Sequence, residues 1–443
     1  MIAFPMTKSA RLATLLAPVL LGTLTLPAVA ESKFKQFTTP GGISAWMVED
    51  QTFPIISMAF AFKAGATHEP ADKAGVAGLT AAVMTEATAQ LDPNQLAAKV
   101  EEVGLELQLS ADQDYFWGSA RTTSDHADEA FDLMAEVLNE PRFAQVDLDR
   151  VRRIAIENIR SNAEDPSYRA SLLWNAAIYG DHPYARPAIG TEQTLTAIAP
   201  NDLRAFYKAG LSRDALKIGI IGAVTEAEAG AIIDKAFGSL PEKSTLPTVE
   251  AAELNIGETL AVTYPLPQTS LRITYPGIAI EDPDYYPAQV LVEMLAGGGI
   301  SSILNTEVRE KRGLSYGVGG GLANFRYSNL ITFDTSTEPQ KAVEAHTLIN
   351  DIFKQIAEEG PTQEQVDLYK RYLVGSYAIN NLGSTGGLVG TMVSNQLLNL
   401  PLDYVDTRTE LIEAVTPERV QAVAKRIFSA TPTVLTIGPE ATE

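Results

Sequence analysis

Arg309 and Tyr316 are the two side chains whose types and spacing best suit chemistry on a substrate. They stand seven residues apart in the run EMLAGGGISSILNTEVREKRGLSYGVGGGLANF, residues 293–325. A guanidinium offers a planar fork of donors to carbonyl or carboxylate oxygens, and a phenol offers one hydroxyl. Other chemistries are poorly supplied. The histidines are His68, His126, His182 and His346, each several dozen residues from the next. Zinc held on a helix needs ligands three or four residues apart, so no local histidine pair can bind it. Each histidine is read as a surface or hydrogen-bonded loop residue, Asp181-His182-Pro183 being the plainest case. Gly297, Gly298 and Gly299 precede no Lys-Ser/Thr pair and do not form a phosphate loop. With no cysteine in the chain, disulfides, thiolate metal sites and a cysteine nucleophile are excluded.

The elements around the pair follow from local rules. Ser301 or Ser302 can cap a short helical segment, Lys311 and Arg312 suit the negative end of its dipole, and Gly313 suits the left-handed position after it. GVGGG at 317–321 belongs to a strand, where glycine marks a bulge or the close approach of another backbone. Taken alone, this pattern also fits a solvated helix arginine followed by an ordinary strand aromatic.

The rest of the chain reads as two similar halves. In the first, strands surround the Pro40-Gly41-Gly42 turn, and an apolar strand covers 56–66. An alanine-rich helix runs from Ala74 to about Thr88, and a second one after Pro93 is stopped by Gly104. LELQLSADQDYFWGSART alternates like a strand pair, helices run to Tyr207, and KIGIIGAV precedes a helix capped by Thr225 and Glu228. Residues 241–257 turn to Pro, Glu, Thr and Ser and make the best linker. The order then partly repeats: strand, helix from Asp284, strands, helices from Gln340 and after Thr362, a glycine-rich NLGSTGG loop, a helix from Pro417 and the closing strand TVLTIG. The expected fold is α+β, two similar domains at 31–243 and 258–443, each a mainly antiparallel sheet with helices packed on it.

Composition agrees with a folded, exported protein. Apolar residues make up 45% and charged residues 20%, near globular averages, and 443 residues exceed one ordinary core. Lys8 and Arg11 precede LATLLAPVLLGTLTL, and Ala28-Val29-Ala30 has the form of a signal-peptidase site. Residues 1–30 are therefore expected to be a secretory signal, the alternative being an N-terminal anchor. No later run is apolar and long enough to cross a bilayer. Bacterial periplasm is the expected location. The net charge of −21 repels nucleic acid.

The segment from Pro267 to Val318 resembles the C-terminal domain of the pitrilysin-like (inverzincin) zinc metallopeptidases, and the resemblance covers essentially the whole mature chain. In that family an arginine and a tyrosine seven apart grip the substrate main chain; here the matching residues are Arg309 and Tyr316. FKAGATHEPADKAGVAGLTAAVMTEAT is similar to the stretch that carries the family's H-x-x-E-H motif. Yet Gly78 and Ala82 occupy the histidine positions and Ala81 that of the general base. The third ligand would fall near Glu157 and Asn158, where one carboxylate cannot hold zinc alone. The edge strand at Leu107 to Asp112 is also altered.

The resemblance therefore implies a proteolytically incompetent subunit that binds no cofactor itself. It would form a heterodimer with a catalytic subunit carrying H-x-x-E-H, zinc and the activated water. Peptides or unfolded proteins would be the substrates, with Arg309 and Tyr316 supporting binding and the transition state. The alternative is a structural or peptide-binding scaffold of the same family without a peptidase partner.

Overall fold

The computed structural model describes residues 34–297 and 301–439. The expected signal at 1–30 lies outside the described residues, as do Gly298 and Gly299. In chain order the first part contains β1 (Lys35–Thr38), β2 (Ser44–Glu49), β3 (Ile55–Phe62), α1 (Val76–Met84), α2 (Pro93–Glu102), β4 (Glu106–Ala111), β5 (Phe116–Thr123), α3 (Ala127–Asn139), α4 (Gln145–Ala163), α5 (Pro166–Tyr179), α6 (Glu192–Ala197), α7 (Pro200–Gly210), β6 (Leu216–Gly222) and α8 (Glu226–Phe237). Then come β7 (Thr259–Thr263), β8 (Thr269–Pro276), α9 (Tyr285–Ala296), β9 (Ser315–Asn324), β10 (Asn329–Thr337), α10 (Ala342–Glu359), α11 (Gln363–Leu382), α12 (Thr385–Leu397), α13 (Tyr404–Glu413), α14 (Pro417–Phe428) and β11 (Thr433–Gly438).

The strands form two sheets, ordered β1-β2-β6-β3-β5-β4 and β7-β11-β8-β10-β9. Pairing is antiparallel except at β2–β6 and β7–β11, which are parallel. The expected α+β architecture is found. On one face the first sheet buries Phe60, Phe62 and Phe116 against Phe237 of α8, and the Phe60 and Phe237 rings meet edge to face at 5.0 Å. The second sheet buries Ile273, Tyr275 and Phe333 beneath α9, α10 and α14.

Each sheet's other face is covered by a helix from the opposite half. From the second half, α12 lays Val389, Met392 and Val393 on Trp46, Ala59 and Ile221 of the first sheet. From the first half, α5 lays Trp174 and Ile178 on Leu330 and Leu435 of the second. Both contacts include a buried side-chain donor: Gln396 Nε2 donates to Ile218 O at 2.8 Å, and Trp174 Nε1 to Thr274 Oγ1 at 3.1 Å. Helix α12 sits so close that a Cβ on Gly219 of β6 would lie 2.8 Å from Met392 Cβ. Residues 32–443 accordingly form one compact unit.

One local expectation is corrected. Of NLGSTGG only Gly383 and Ser384 are loop: Asn381 and Leu382 end α11, and the Ser384 hydroxyl accepts from the Gly387 N–H at 3.0 Å and starts α12. Gly386 and Gly387 are thus helical, and α12 and α13 lie where the sequence pattern shows no helix. Residues 241–257 hold no helix or strand, but they are tied down. Thr245 N–H donates to Ala209 O, Ala252 N–H to Tyr327 O and Asn255 N–H to Ile178 O, at 2.8–2.9 Å.

Candidate substrate-gripping corner

The segment between α9 and β9 starts as expected. Ser302 Oγ accepts from the Asn305 N–H at 3.4 Å, and Gly313 adopts φ +58°. In between, however, Asn305–Glu310 is a π turn rather than an α-helix, with the Lys311 N–H reaching back to Thr306 O at 3.0 Å. Such wide turns concentrate at functional sites because they re-aim side chains. Lys311 and Arg312 both pair with Glu307, at 2.6 and 2.7 Å, and so are not free to serve the helix end alone. Arg309 is half-buried on this turn. Its guanidinium has no hydrogen-bond or ion-pair partner among the described residues.

Asn305, which the sequence pattern does not single out, locks the turn to β9. It is 7% exposed, donates from Nδ2 to Val318 O and Ser302 Oγ at 2.9 and 2.8 Å, and accepts at Oδ1 from the Val318 N–H at 2.9 Å. Both main-chain groups of Val318 are therefore taken, and an added peptide strand cannot pair with that residue.

Tyr316 is aimed by a β-bulge. Val318 stands opposite Thr335 and Ser315 opposite Thr337, so Tyr316 and Gly317 together face Ser336. An extra residue re-directs the strand's side chains, and Tyr316 emerges 85% exposed. It stands at a groove of about 460 Å³ that Arg272, Asp334, Ser270 and Ser336 also line. Arg272 Nε and Asp334 Oδ1 are 2.7 Å apart there, and the two serine hydroxyls are 2.9 Å apart. Arg309 is not among the groove's lining residues. The pair thus occupies consecutive segments, the turn and the strand it feeds, with only the tyrosine at the groove.

The glycines of β9 divide by role. A Cβ on Gly320 would come within 2.7 Å of the Phe333 ring and 2.9 Å of Ala296, so the core requires glycine there. Gly319 and Gly321 have nothing within 4 Å of that position and leave room for an approaching chain. GLSYG at 313–317 also spells the G-x-S-x-G string of a nucleophile elbow. Ser315 nevertheless opens a strand rather than a strand-to-helix turn, and its buried hydroxyl has no hydrogen-bond partner among the described residues.

The positions that the resemblance assigns to the zinc motif lie on α1. Gly78 and Ala82 are half-buried, Ala81 is 1% exposed in the first core, and none carries a donor atom for a metal. Glu157 is exposed on α4 and pairs with Arg160 at 3.1 Å. These residues do not fit a zinc ion. Installing the missing general base alone, Ala81→Glu, would push a carboxylate into apolar packing. It is expected to cost on the order of 2–3 kcal/mol in urea unfolding. A cost below a few tenths would mean the site is more open than its burial implies. The altered strand β4 forms the edge of the first sheet, exposing Glu106, Gln108 and Ser110.

Two histidines meet at the segment joining the halves. His68 Nδ1 lies 2.9 Å from Pro247 O. His182 accepts at Nδ1 from the Tyr184 N–H, and its Nε2 lies 3.1 Å from Glu250 O. That pattern fits the neutral Nε2–H tautomer, and burial lowers both pKa values. His126 pairs with Glu129, and His346 Nε2 lies 3.0 Å from Asn350. Among the described residues no group of three or more His, Asp or Glu could hold a metal.

Beside His68, Glu69 accepts the Gly75 and Ala77 N–H groups at 2.8 and 2.6 Å, at the start of α1. Burial pushes its carboxyl from 4.5 up to about 7, against the pull of those two bonds and of Arg186. Because the folded state binds this proton more tightly, the contribution to stability is greatest below pH 4.5. It declines as pH rises to about 7, by on the order of 3 kcal/mol, and is flat above. Histidines 68, 182 and 346, lowered from 6.5, act with the opposite sign. The difference between wild type and Glu69→Gln therefore isolates the carboxyl. The stability of wild type relative to the variant should fall by on the order of 3 kcal/mol as pH rises from 4.5 to about 7, and a difference that stays constant across this range would refute the assignment.

Two mainly antiparallel sheets, each carrying helices, and an α1 with no metal donor at Gly78, Ala81 or Ala82 point to a pitrilysin-type chain of the inactive kind. Family profiles agree: residues 46–192 match Insulinase (Peptidase family M16), and residues 197–373 match the Peptidase M16 inactive domain. The chain belongs to peptidase family M16. It is 23% identical over 405 residues to the uncharacterized zinc protease YmxG of Bacillus subtilis, spanning 91% of this chain and 98% of that one. A Helicobacter pylori relative described as a non-peptidase homolog is 23% identical, spanning 94% of each. The crystal structure of a peptidase M16 inactive domain from Pseudomonas fluorescens superposes with a TM-score of 0.85 at 28% identity, over 93% of this chain and 99% of that one.

Proposed function

We propose that this chain is the proteolytically incompetent subunit of a heterodimeric zinc metallopeptidase located in the bacterial periplasm. The observation that carries the reading is a contrast within one molecule. The α1 positions Gly78, Ala81 and Ala82 hold no donor atoms, whereas Tyr316 is turned out of β9 by a dedicated bulge. A second subunit with an intact H-x-x-E-H would hold the zinc. This chain's own residues bind and orient: Arg309 gives charge-assisted hydrogen bonds to substrate carbonyls. Tyr316 donates its hydroxyl to the scissile carbonyl or to the developing oxyanion. Gly319 and Gly321 leave space for an extended peptide or unfolded segment beside the strand.

The test is to assay cleavage of an unstructured peptide by the purified chain alone, by the candidate partner alone and by the mixture. Activity confined to the mixture supports the proposal, while zinc-dependent cleavage by this chain alone rejects it. A second reading, a peptide-binding scaffold with no peptidase partner, draws on the description of the Helicobacter pylori relative as a non-peptidase homolog. Co-purification separates the two, since a scaffold would bring down peptides but no M16 protein with an intact motif.

A further inference from the structure

A cavity of about 340 Å³ lies among α9, α11, α12 and α13, and it shares no lining residue with the groove at Tyr316. Arg408 of α13 lines it and is 6% exposed. Its Nη1 donates to Leu373 O at 3.3 Å, and its guanidinium lies 4.2 Å from the centre of the Tyr377 ring. No carboxylate pairs with it among the described residues, and none lines the cavity. A buried cation without a counter-charge is strongly disfavoured unless something else supplies that charge. Arg408 also offers more N–H groups than these contacts use.

The neighbouring polar groups are mostly donors too. Asn395, 4% exposed on α12, has an Nδ2 without a hydrogen-bond partner among the described residues. Tyr404 OH accepts from Tyr286 OH at 3.1 Å, and Tyr285 OH accepts from Gln289 Nε2 at 3.3 Å, so each hydroxyl still has its own proton to give. Burial pushes the Tyr285 phenol up to about 12, which keeps that proton in place. Gln289, also on this wall, has a buried Oε1 without a hydrogen-bond partner among the described residues.

We propose that this cavity binds a small carboxylate, no larger than a dipeptide, held by Arg408 and Asn395. Gln289 Oε1 is positioned to take an N–H from the same molecule, so an acylated amino acid or short peptide acid suits it better than a bare anion. Because Asn395 projects from the helix whose other side covers the first sheet, occupancy would bear on how α12 is held.

The probes are N-acetylglycine, N-acetylglycinamide and inorganic phosphate, titrated into the purified full chain by calorimetry at neutral pH. The acid should bind at least tenfold more tightly than its amide or phosphate. A Cβ on Gly390 of α12 meets nothing within 4 Å and lies on the cavity wall. Gly390→Leu should therefore abolish binding while leaving circular dichroism and the melting curve of the free protein unchanged. Arg408→Lys, which keeps the charge but loses the fork, should weaken binding of the acid tenfold or more. Equal binding of acid and amide, binding that survives Gly390→Leu, selective binding of phosphate, or no binding would each overturn the proposal.

Discussion

Tyr316→Phe, assayed in the mixture with a catalytic M16 partner, is expected to lower kcat by about a hundredfold with little change in KM. The variant removes one oxygen and leaves an exposed ring, so stability should not change. An oxyanion donor acts mainly in the transition state, and its loss corresponds to roughly 3 kcal/mol. Arg309→Ala is expected to act differently, raising KM as well as lowering kcat, because charge-assisted bonds to substrate carbonyls form already in the ground state. Steady-state kinetics on an unstructured peptide distinguish the two. Unchanged constants for both variants would reject the roles assigned to these residues while leaving the pairing of subunits open.

Asn305→Leu is expected to cost on the order of 3–5 kcal/mol in unfolding free energy, the largest effect of any single change at the corner. The side chain is buried and makes three hydrogen bonds to described residues, two of them to the N–H and C=O of Val318. Leucine would leave both groups of Val318 without that partner and could replace neither bond. Asn305→Asp separates geometry from chemistry, since Oδ1 could still accept the Val318 N–H while the donor to Val318 O is lost. It should fall between wild type and leucine. Chemical denaturation measures both, and a cost under 1 kcal/mol for leucine would show that the turn is held by its apolar neighbours Leu304 and Val308 instead.

These residues also mark what could be read from the sequence. Features set by neighbours in the chain were legible. The capping boxes at Thr225 with Glu228 and Thr362 with Gln365 form as expected, and Gly104 and Gly313 both take positive φ. So was the α+β architecture with its two sheets. Features set by distant partners were not. Asn305 matters only because Val318 arrives beside it. The bulge at Tyr316 depends on how β9 registers with β10, and the glycine after the tyrosine was its sole local trace. Helix α12 was hidden for a related reason: Val389, Met392 and Val393 are covered by Trp46, Ala59 and Ile221 of the other half of the chain, a context that the local pattern does not contain.

The crossed helices bear on how the chain is made. A ribosome completes every strand of the first sheet by Gly222, but the helix that covers Trp46, Ala59 and Ile221 begins only at Thr385. Until then the nascent first half carries an uncovered apolar wall, and no local rearrangement can supply Met392 or Val393. Separately expressed fragments cut within 241–257 should therefore each aggregate, yet be rescued on co-expression, much as split reporters are. The two halves, however similar, would then mature as a single folding unit, with chaperone protection lasting until α12 emerges.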